Sequence, residues 1–261
     1  MNYTYCAQTH PGLIRGNNED AVVFDEACGV VVLADGMGGY NAGEVASGMA
    51  TAFIKSELVR WLSGAARQAS ADQVSRAIEM CIEKANTSIL NAATSNSQYA
   101  GMGTTLVVGV FQEGTLVLGH VGDSRCYRLR AGALTQITKD HSLLQEQVDA
   151  GLLTPSQAAI APGKNLLTRA VGVEKTLKVE LHQHTIDAGD IYLMCSDGLT
   201  DMVDDDTIAR IMLQSSSMVQ IAADLVARAN AGGGRDNITV LLTQVRVSSE
   251  KPGLMSRLFG K

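Results

Sequence analysis

An α+β fold, with two sheets packed together and helices covering their outer faces, is predicted by three features of the sequence. Short runs such as VVVLA at 30–34 are apolar at every position, as a strand buried on both faces requires. Segments with apolar residues at i, i+3, i+4 and i+7 lie between groups of these runs and read as helices with one buried face. Strands followed by helical segments occur early in the chain and again in its last third, so each sheet has helices of its own.

The elements follow in order. Residues 3–9, 21–24 and 30–34 read as strands. The segment 43–62 reads as a helix with a blurred apolar face. A cleaner helix follows from Asp72, with Val74, Ala77, Ile78, Cys81, Ile82, Ala85 and Ile89 on one side. Strands at 104–111, 115–121, 125–130 and 134–138 are separated by short turns and read as an antiparallel meander. Residues 142–165 carry a short helix, Pro155 and Pro162 with no strong strand signal, and are expected to form a surface flap. Strands at 177–186 and 191–195, a helix with Met218, Ile221, Ala222, Leu225, Val226 and Ala229 on one face, and a strand at 238–245 complete a single domain over 1–246. The tail 247–261 is expected to be frayed, although Leu254, Met255, Leu258 and Phe259 fall at helical spacing.

Composition narrows the function. The 261-residue chain carries 21 basic and 27 acidic side chains, a net charge of −6 that argues against coating nucleic acid. No apolar run approaches the roughly 18 to 20 residues of a membrane helix, and the N-terminus lacks the basic and apolar regions of a signal peptide. A cytoplasmic protein is expected. The five cysteines are scattered, with no CxxC, and the five histidines show no HExxH or related spacing, so neither disulfides nor a zinc site are expected. His182 and His184 alternate along a strand and are read as surface neighbours.

The aspartates carry the chemistry. Asp35 and Asp197 end apolar strands and precede glycine, Asp123 follows the strand TLVLGHV, and Asp236 opens the strand that follows it. One aspartate at a strand end is an ordinary turn residue. Hairpin arithmetic, however, brings several together, because residues equidistant from a turn face each other in an antiparallel pair. Asp20 and Asp35 are centred in the DEACG turn, and Asp123 and Thr105 on Gly114. Asp197 and Asp236 share an end if their strands pair antiparallel. Carboxylates gathered in this way repel one another unless cations lie between them. An all-oxygen set points to Mg²⁺ or Mn²⁺, with Ca²⁺ also compatible and Zn²⁺ disfavoured. Two such ions can activate a bridging water and clamp a phosphoryl group. Arg15, just before Asn18-Glu19-Asp20, is a planar donor suited to phosphate. In Asp35-Gly36-Met37-Gly38-Gly39 the Gly36 carbonyl is a further candidate ligand. A nucleotide cradle is the alternative for this run, though the sequence contains neither GxGxxG nor GxxxxGK[ST].

Eight segments in order then resemble the type 2C metal-dependent protein phosphatases, especially the compact bacterial enzymes: Arg15 with NNED at 17–20, LADGMGG at 33–39, GTT at 103–105, GDSR at 122–125, TKDHS at 138–142, LTRAVG at 167–172, CSDGLTD at 195–201 and GRDNIT at 234–239. The resemblance implies a four-layer α-β-β-α sandwich of two antiparallel sheets with a flap at about 142–165. It implies two Mn²⁺ or Mg²⁺ ions between the sheets, on Asp35, the Gly36 carbonyl, Asp197 and Asp236, with Glu19 and Asp20 acting through water. A third ion is implied at Asp123, Asp197 and Asp201. Arg15 would bind the phosphate and Asn237 would support metal-bound water or the phosphate. The implied reaction is in-line attack of a metal-bridging hydroxide on phosphoserine or phosphothreonine, with no phosphoenzyme, by a monomer that opposes a bacterial serine/threonine kinase. Met37 stands where many animal members have histidine, and methionine holds no transferable proton, so metal-bound water is the expected acid. The alternatives are a phosphoprotein-binding pseudophosphatase and a hydrolase of another phosphate ester.

Overall fold

The computed structural model describes residues 1–39, 42–64, 66, 68–158, 161–163, 166–215 and 217–247, so the expected tail beyond Val247 lies outside the described residues. In chain order come strands β1 (Asn2–His10), β2 (Asp20–Asp25) and β3 (Val30–Met37), then helices α1 (Ala42–Leu62) and α2 (Ala71–Ser95). Strands β4 (Gly103–Thr104), β5 (Leu106–Gln112), β6 (Thr115–Val121), β7 (Arg125–Arg130) and β8 (Ala133–Gln136) precede the short flap helices α3 (Leu143–Asp149) and α4 (Pro155–Ala158). Strands β9 (Glu180–Thr185) and β10 (Ile191–Cys195), helices α5 (Asp197–Thr200), α6 (Asp205–Gln214) and α7 (Met218–Ala231), and strand β11 (Ile238–Arg246) follow. One sheet has the order β2-β3-β5-β6-β9, with β4 pairing β3, and the other β1-β11-β10-β7-β8. Each of these strand pairs is antiparallel.

Side-chain parity along the strands builds the four layers. Val30, Val32 and Ala34 of β3 pack with α1 and α2, whereas Val31 and Leu33 join Tyr5, Phe111, Tyr192 and Met194 between the sheets. On the other side, Leu193 and Cys195 of β10 pack with Ile221, Leu225 and Ala229 of α7. Since successive strand residues point to opposite faces, Asp35 follows Leu33 into the inter-sheet space. The blurred periodicity of α1 has a steric cause. It lies close to the sheet through Ala42, Gly43, Ala46, Ser47 and Ala50, small side chains with little hydrophobic contrast. The second helix matches its pattern and adds a capping box between Ser70 and Gln73.

The expected meander is really two hairpins in different sheets. Strands β5 and β6 belong to one and β7 and β8 to the other, and the chain crosses between sheets at Gly122–Ser124. Gly122 has φ 105°, and a Cβ there would lie 2.7 Å from the Thr105 Cβ, so glycine is required. The β5–β6 register also differs by one residue from the expected one. Gln112 pairs with Thr115 around the two-residue turn Glu113-Gly114, which sets Thr105 opposite Gly122 rather than Asp123.

A close contact between α2 and β6 gives a stability prediction. A Cβ on Gly119 would come 2.5 Å from the Ile78 Cγ2. Gly119→Ala should cost about 1–3 kcal/mol by overpacking and Ile78→Ala about 2–5 kcal/mol by leaving a cavity. Urea titration should find the double variant less destabilised than the sum, by about 1 kcal/mol, because each change relieves the other.

Candidate active site

The strand mouths converge at one end of the inter-sheet space. Asp20 pairs directly with Asp35 across β2 and β3. Strands β10 and β11 are antiparallel neighbours, so Asp197, just after one, and Asp236, just before the other, share an end. A cavity of about 180 Å³ opens there, lined by Glu19, Asp35, Gly36, Asp123, Asp197 and Asp236, with Arg15, Thr105 and Met37 beside them. Asp123 and Asp197 also line an adjoining cleft of about 420 Å³, which Asp201, Asp140 and Asp205 share with Leu144 and Val148 of the flap.

Backbone and hydroxyl contacts hold this end rigid. The Asp35 N–H donates to the Thr105 Oγ1 at 3.0 Å, and the Asp35 carbonyl accepts from the Thr105 N–H and the Thr104 hydroxyl, both at 2.8 Å. Thr105 and Ser124 pair their hydroxyls at 2.7 Å. The Ser196 hydroxyl donates to the Asp20 Oδ2 at 2.8 Å, while the Asp20 Oδ1 is buried with no partner. A Cβ at Gly36 would overlap the carbonyls of Gly43 and Glu19, at 2.1 and 2.5 Å, so glycine alone lets α1 start against the strand.

Arg15 Nη2 donates to the Asp236 Oδ2 at 2.7 Å, and its side chain remains 52% exposed, within reach of an entering ligand. The Asn237 amide is engaged by backbone groups. Its Oδ1 accepts from the Glu19 N–H at 2.7 Å, and its Nδ2 donates to the carbonyls of Pro11 at 3.0 Å and Asn17 at 2.8 Å. The amide therefore braces the loop that carries Arg15 and Glu19. Asp201 lies one helical turn beyond Asp197, and its N–H donates to the Asp197 carbonyl at 2.8 Å.

Burial and mutual repulsion dominate the electrostatics. Asp35 is raised well above the ordinary carboxylate range by burial and then by Asp20, Asp197 and Asp123. Burial, then Asp123 and Asp201, raise Asp197 in the same way. Asp20 is pushed up to about 6, mainly by burial, and Asp123 to about 7, by burial and then by Asp140. Without cations, these groups keep their protons to higher pH than an ordinary carboxylate does. The orphaned Asp20 oxygen, the all-oxygen donor set and a cavity wide enough for ions and a phosphoryl group all fit hard divalent cations.

Several functional neighbours are missing from the sequence expectation. Thr105 and Ser196 brace Asp35 and Asp20, and Asp140 chelates the Arg125 guanidinium at 2.7–3.0 Å on the wall of the larger cleft. Their signal was present, since Thr105 and Asp140 fall inside GTT and TKDHS. Histidines without metal spacing in sequence also meet in space: His120, His141 and Glu180 bring ligand-type atoms within 4.8 Å of one another.

Comparison with known proteins places these features in context. A family model described as "Protein phosphatase 2C" matches residues 16–239. The chain is 38% identical over 244 residues to the serine/threonine phosphatase stp of Listeria monocytogenes, covering 91% of this chain and 94% of that one. The crystal structure of the Mycobacterium tuberculosis serine/threonine phosphatase PstP/Ppp is similar at a TM-score of 0.86 and 37% identity, over 95% of this chain and 100% of that one. The catalytic domain of the serine/threonine protein phosphatase PstP in complex with two manganese ions is similar at 0.81 and 38%, over 94% and 99% of the two chains.

The raised carboxylates predict an unusual pH dependence. Between the unfolded value of 3.8 and the folded values of about 6 and 7 for Asp20 and Asp123, the folded protein binds more protons than the unfolded chain. These groups therefore contribute stability below about pH 4 that is lost as pH rises through 6 and 7. The urea midpoint in EDTA should fall from pH 5 to pH 8, and saturating Mn²⁺ should flatten the fall. Asp35→Asn should raise the midpoint in EDTA at pH 8 and abolish the gain from Mn²⁺.

Proposed function

The chain belongs to the protein phosphatase 2C family and is a protein serine/threonine phosphatase, and from that membership we propose how it acts: it hydrolyses phosphoserine and phosphothreonine in proteins with two Mn²⁺ or Mg²⁺ ions, without a phosphoenzyme, and so opposes a serine/threonine kinase. One observation carries this reading. Five carboxylates, those of Glu19, Asp35, Asp123, Asp197 and Asp236, crowd a cavity of about 180 Å³, and among the described residues that line it Arg15 alone carries a positive charge.

Asp35, the Gly36 carbonyl, Asp197 and Asp236 would hold the two ions, with Glu19 and Asp20 reaching them through water. Asp123, Asp197 and Asp201 would hold a third. When bound, the ions supply Lewis acidity, lowering the pKa of water and neutralising charge on phosphoryl oxygens. Arg15 binds and orients the phosphate, held in place by Asp236 at 2.7 Å. Asp35 and Asp197 stand at the floor of the site, where partial removal from water strengthens each charge interaction. Direct hydrolysis is favoured because, among the described residues, no cysteine, serine or histidine lines the smaller cavity, and the Thr105 hydroxyl is occupied by Asp35 and Ser124. Met37 lines the cavity without a transferable proton, so water is the proposed donor to the departing alkoxide.

The phosphatase domain is assigned to 1–246 and is read as a cytoplasmic monomer that meets phosphoproteins through the cleft beneath the flap. All five cysteines are free, the state a reducing compartment maintains. Among the described residues, no helix is long and apolar enough to cross a membrane.

Hydrolysis of a phosphothreonine peptide should require Mn²⁺ or Mg²⁺ and cease in EDTA, with Asp35→Asn and Asp197→Asn folded but inert. Arg15→Ala should lower kcat/KM by roughly 10–100-fold, the worth of a charge-assisted hydrogen bond. Turnover that persists in EDTA would remove the metal-dependent reading. A single turnover in ¹⁸O-water should label the released phosphate and leave the enzyme unlabelled.

A further inference from the structure

His141 joins the flap base to the cation end of the sheets. Its N–H donates to the Gly122 carbonyl at 2.8 Å, and its Nδ1 accepts from the Gly122 N–H at 3.1 Å. One residue thus grips both backbone groups of the glycine that precedes Asp123. The His141 carbonyl accepts from the Thr168 N–H at 2.9 Å, and the neighbouring Leu143 N–H donates to the Leu166 carbonyl at 2.9 Å, closing the base of the flap. The ring is 5% exposed and packs against the buried His120 ring, with centroids 4.6 Å apart.

The Gly122 and Glu180 contacts favour one tautomer. A backbone N–H faces Nδ1, so Nδ1 carries the lone pair and Nε2 the proton. That proton points to the Glu180 Oε2 at 2.9 Å, and Glu180 is anchored a second time by the His182 Nε2 on its other oxygen at 2.6 Å. With Nε2 protonated toward Glu180, no lone pair is left there for an ion, although His120, His141 and Glu180 stand close enough to share one, and the Arg169 Nη1 at 3.1 Å faces Nε2 as a second donor and makes no hydrogen bond to it. The arrangement is instead that of a carboxylate orienting an imidazole, which in turn orients a backbone group.

We propose that His141 is a positioning residue, set by Glu180, that holds Gly122 and thereby aims the Asp123 carboxylate at its cation. This rests on the reading of Asp123 as a cation ligand. The geometry makes it necessary to restrain Gly122. At φ 105° it occupies backbone space that few residues share, at the point where the chain leaves one sheet for the other, so nothing in a regular ladder fixes the direction of Asp123.

Two substitutions separate the roles of the ring nitrogens. His141→Asn leaves an acceptor near the place of Nδ1 and removes the reach to Glu180, whereas His141→Gln places its amide near Nε2 and removes the acceptor for Gly122. The full chain, stripped with EDTA, is titrated with Mn²⁺ by calorimetry, and exchange of the Gly122 amide is followed by NMR. His141→Gln should lose Gly122 protection, weaken one class of Mn²⁺ site by about 10–100-fold and lower kcat with little change in KM. His141→Asn should keep Gly122 protected and bind Mn²⁺ within about 3-fold of wild type, short of the roughly 10–100-fold that loss of a needed outer partner costs. Glu180→Gln should fall between the two. Equal damage by Asn and Gln, tracking loss of melting temperature, would overturn the proposal in favour of a packing role, as would unchanged Mn²⁺ binding in both. Asp123→Asn is the separate control. If it leaves every Mn²⁺ site intact, the reading of Asp123 as a ligand fails, whatever His141 does.

Discussion

Electrostatic repulsion among carboxylates gathered at one end of the space between the sheets is the constraint on which the rest of this structure depends. Two sheets pack through Tyr5, Leu33, Phe111, Tyr192 and Met194, and at one end of that apolar layer the inward-facing positions become carboxylates. Asp35 and Asp197 are raised by burial before any neighbour is counted, and each then feels several other acids. A fold retains such a cluster at a cost to its own stability when the charges have a cationic partner to bind, and the family's structure with two manganese ions shows one way that this is met.

Rigidity around the cluster comes from groups that carry no charge. Thr104 and Thr105 hold both backbone groups of Asp35, Ser196 holds Asp20, and the Asn237 amide ties the loop of Arg15 and Glu19 to the start of β11. These contacts matter because like charges push apart whatever is free to move. Neutral hydroxyls and amides fix the carboxylates without neutralising them, so their charge remains available.

The flap side is organised by a second, separate set of charges. Asp140 chelates Arg125, which also donates to the Tyr127 hydroxyl at 3.0 Å, while Tyr127 donates to Asp205 at 2.9 Å. The wall of the larger cleft is therefore pre-formed, with the apolar side chains of Leu144 and Val148 opposite. Since Asp123 and Asp197 line both spaces, the cleft and the smaller cavity meet at the same end of the sheets. His141 sits where the flap base meets that end.

Much of this was legible in the sequence because strands and hairpins are local. The alternation in VVVLAD places Asp35 between the sheets, and counting outward from DEACG pairs Asp20 with Asp35, as observed. The order of eight short motifs was enough to indicate the family. What the sequence left open depends on contacts between distant segments. The two central hairpins look like one meander because local pattern records burial and not the identity of the pairing strand. Asn237 reads in sequence as a support for metal-bound water or phosphate beside Asp236, and only the fold shows its amide contacting backbone groups more than 200 positions away, at Pro11, Asn17 and Glu19. The histidines show no spacing worth reading, and only the pairing of β6 with β9 sets His120 across from Glu180, with His141 against both. Sequence alone determined which residues face the inter-sheet space, because side-chain direction alternates along the chain. Tertiary structure alone decided which of them meet and which nitrogen of His141 bears the proton, because those are properties of partners brought together from afar.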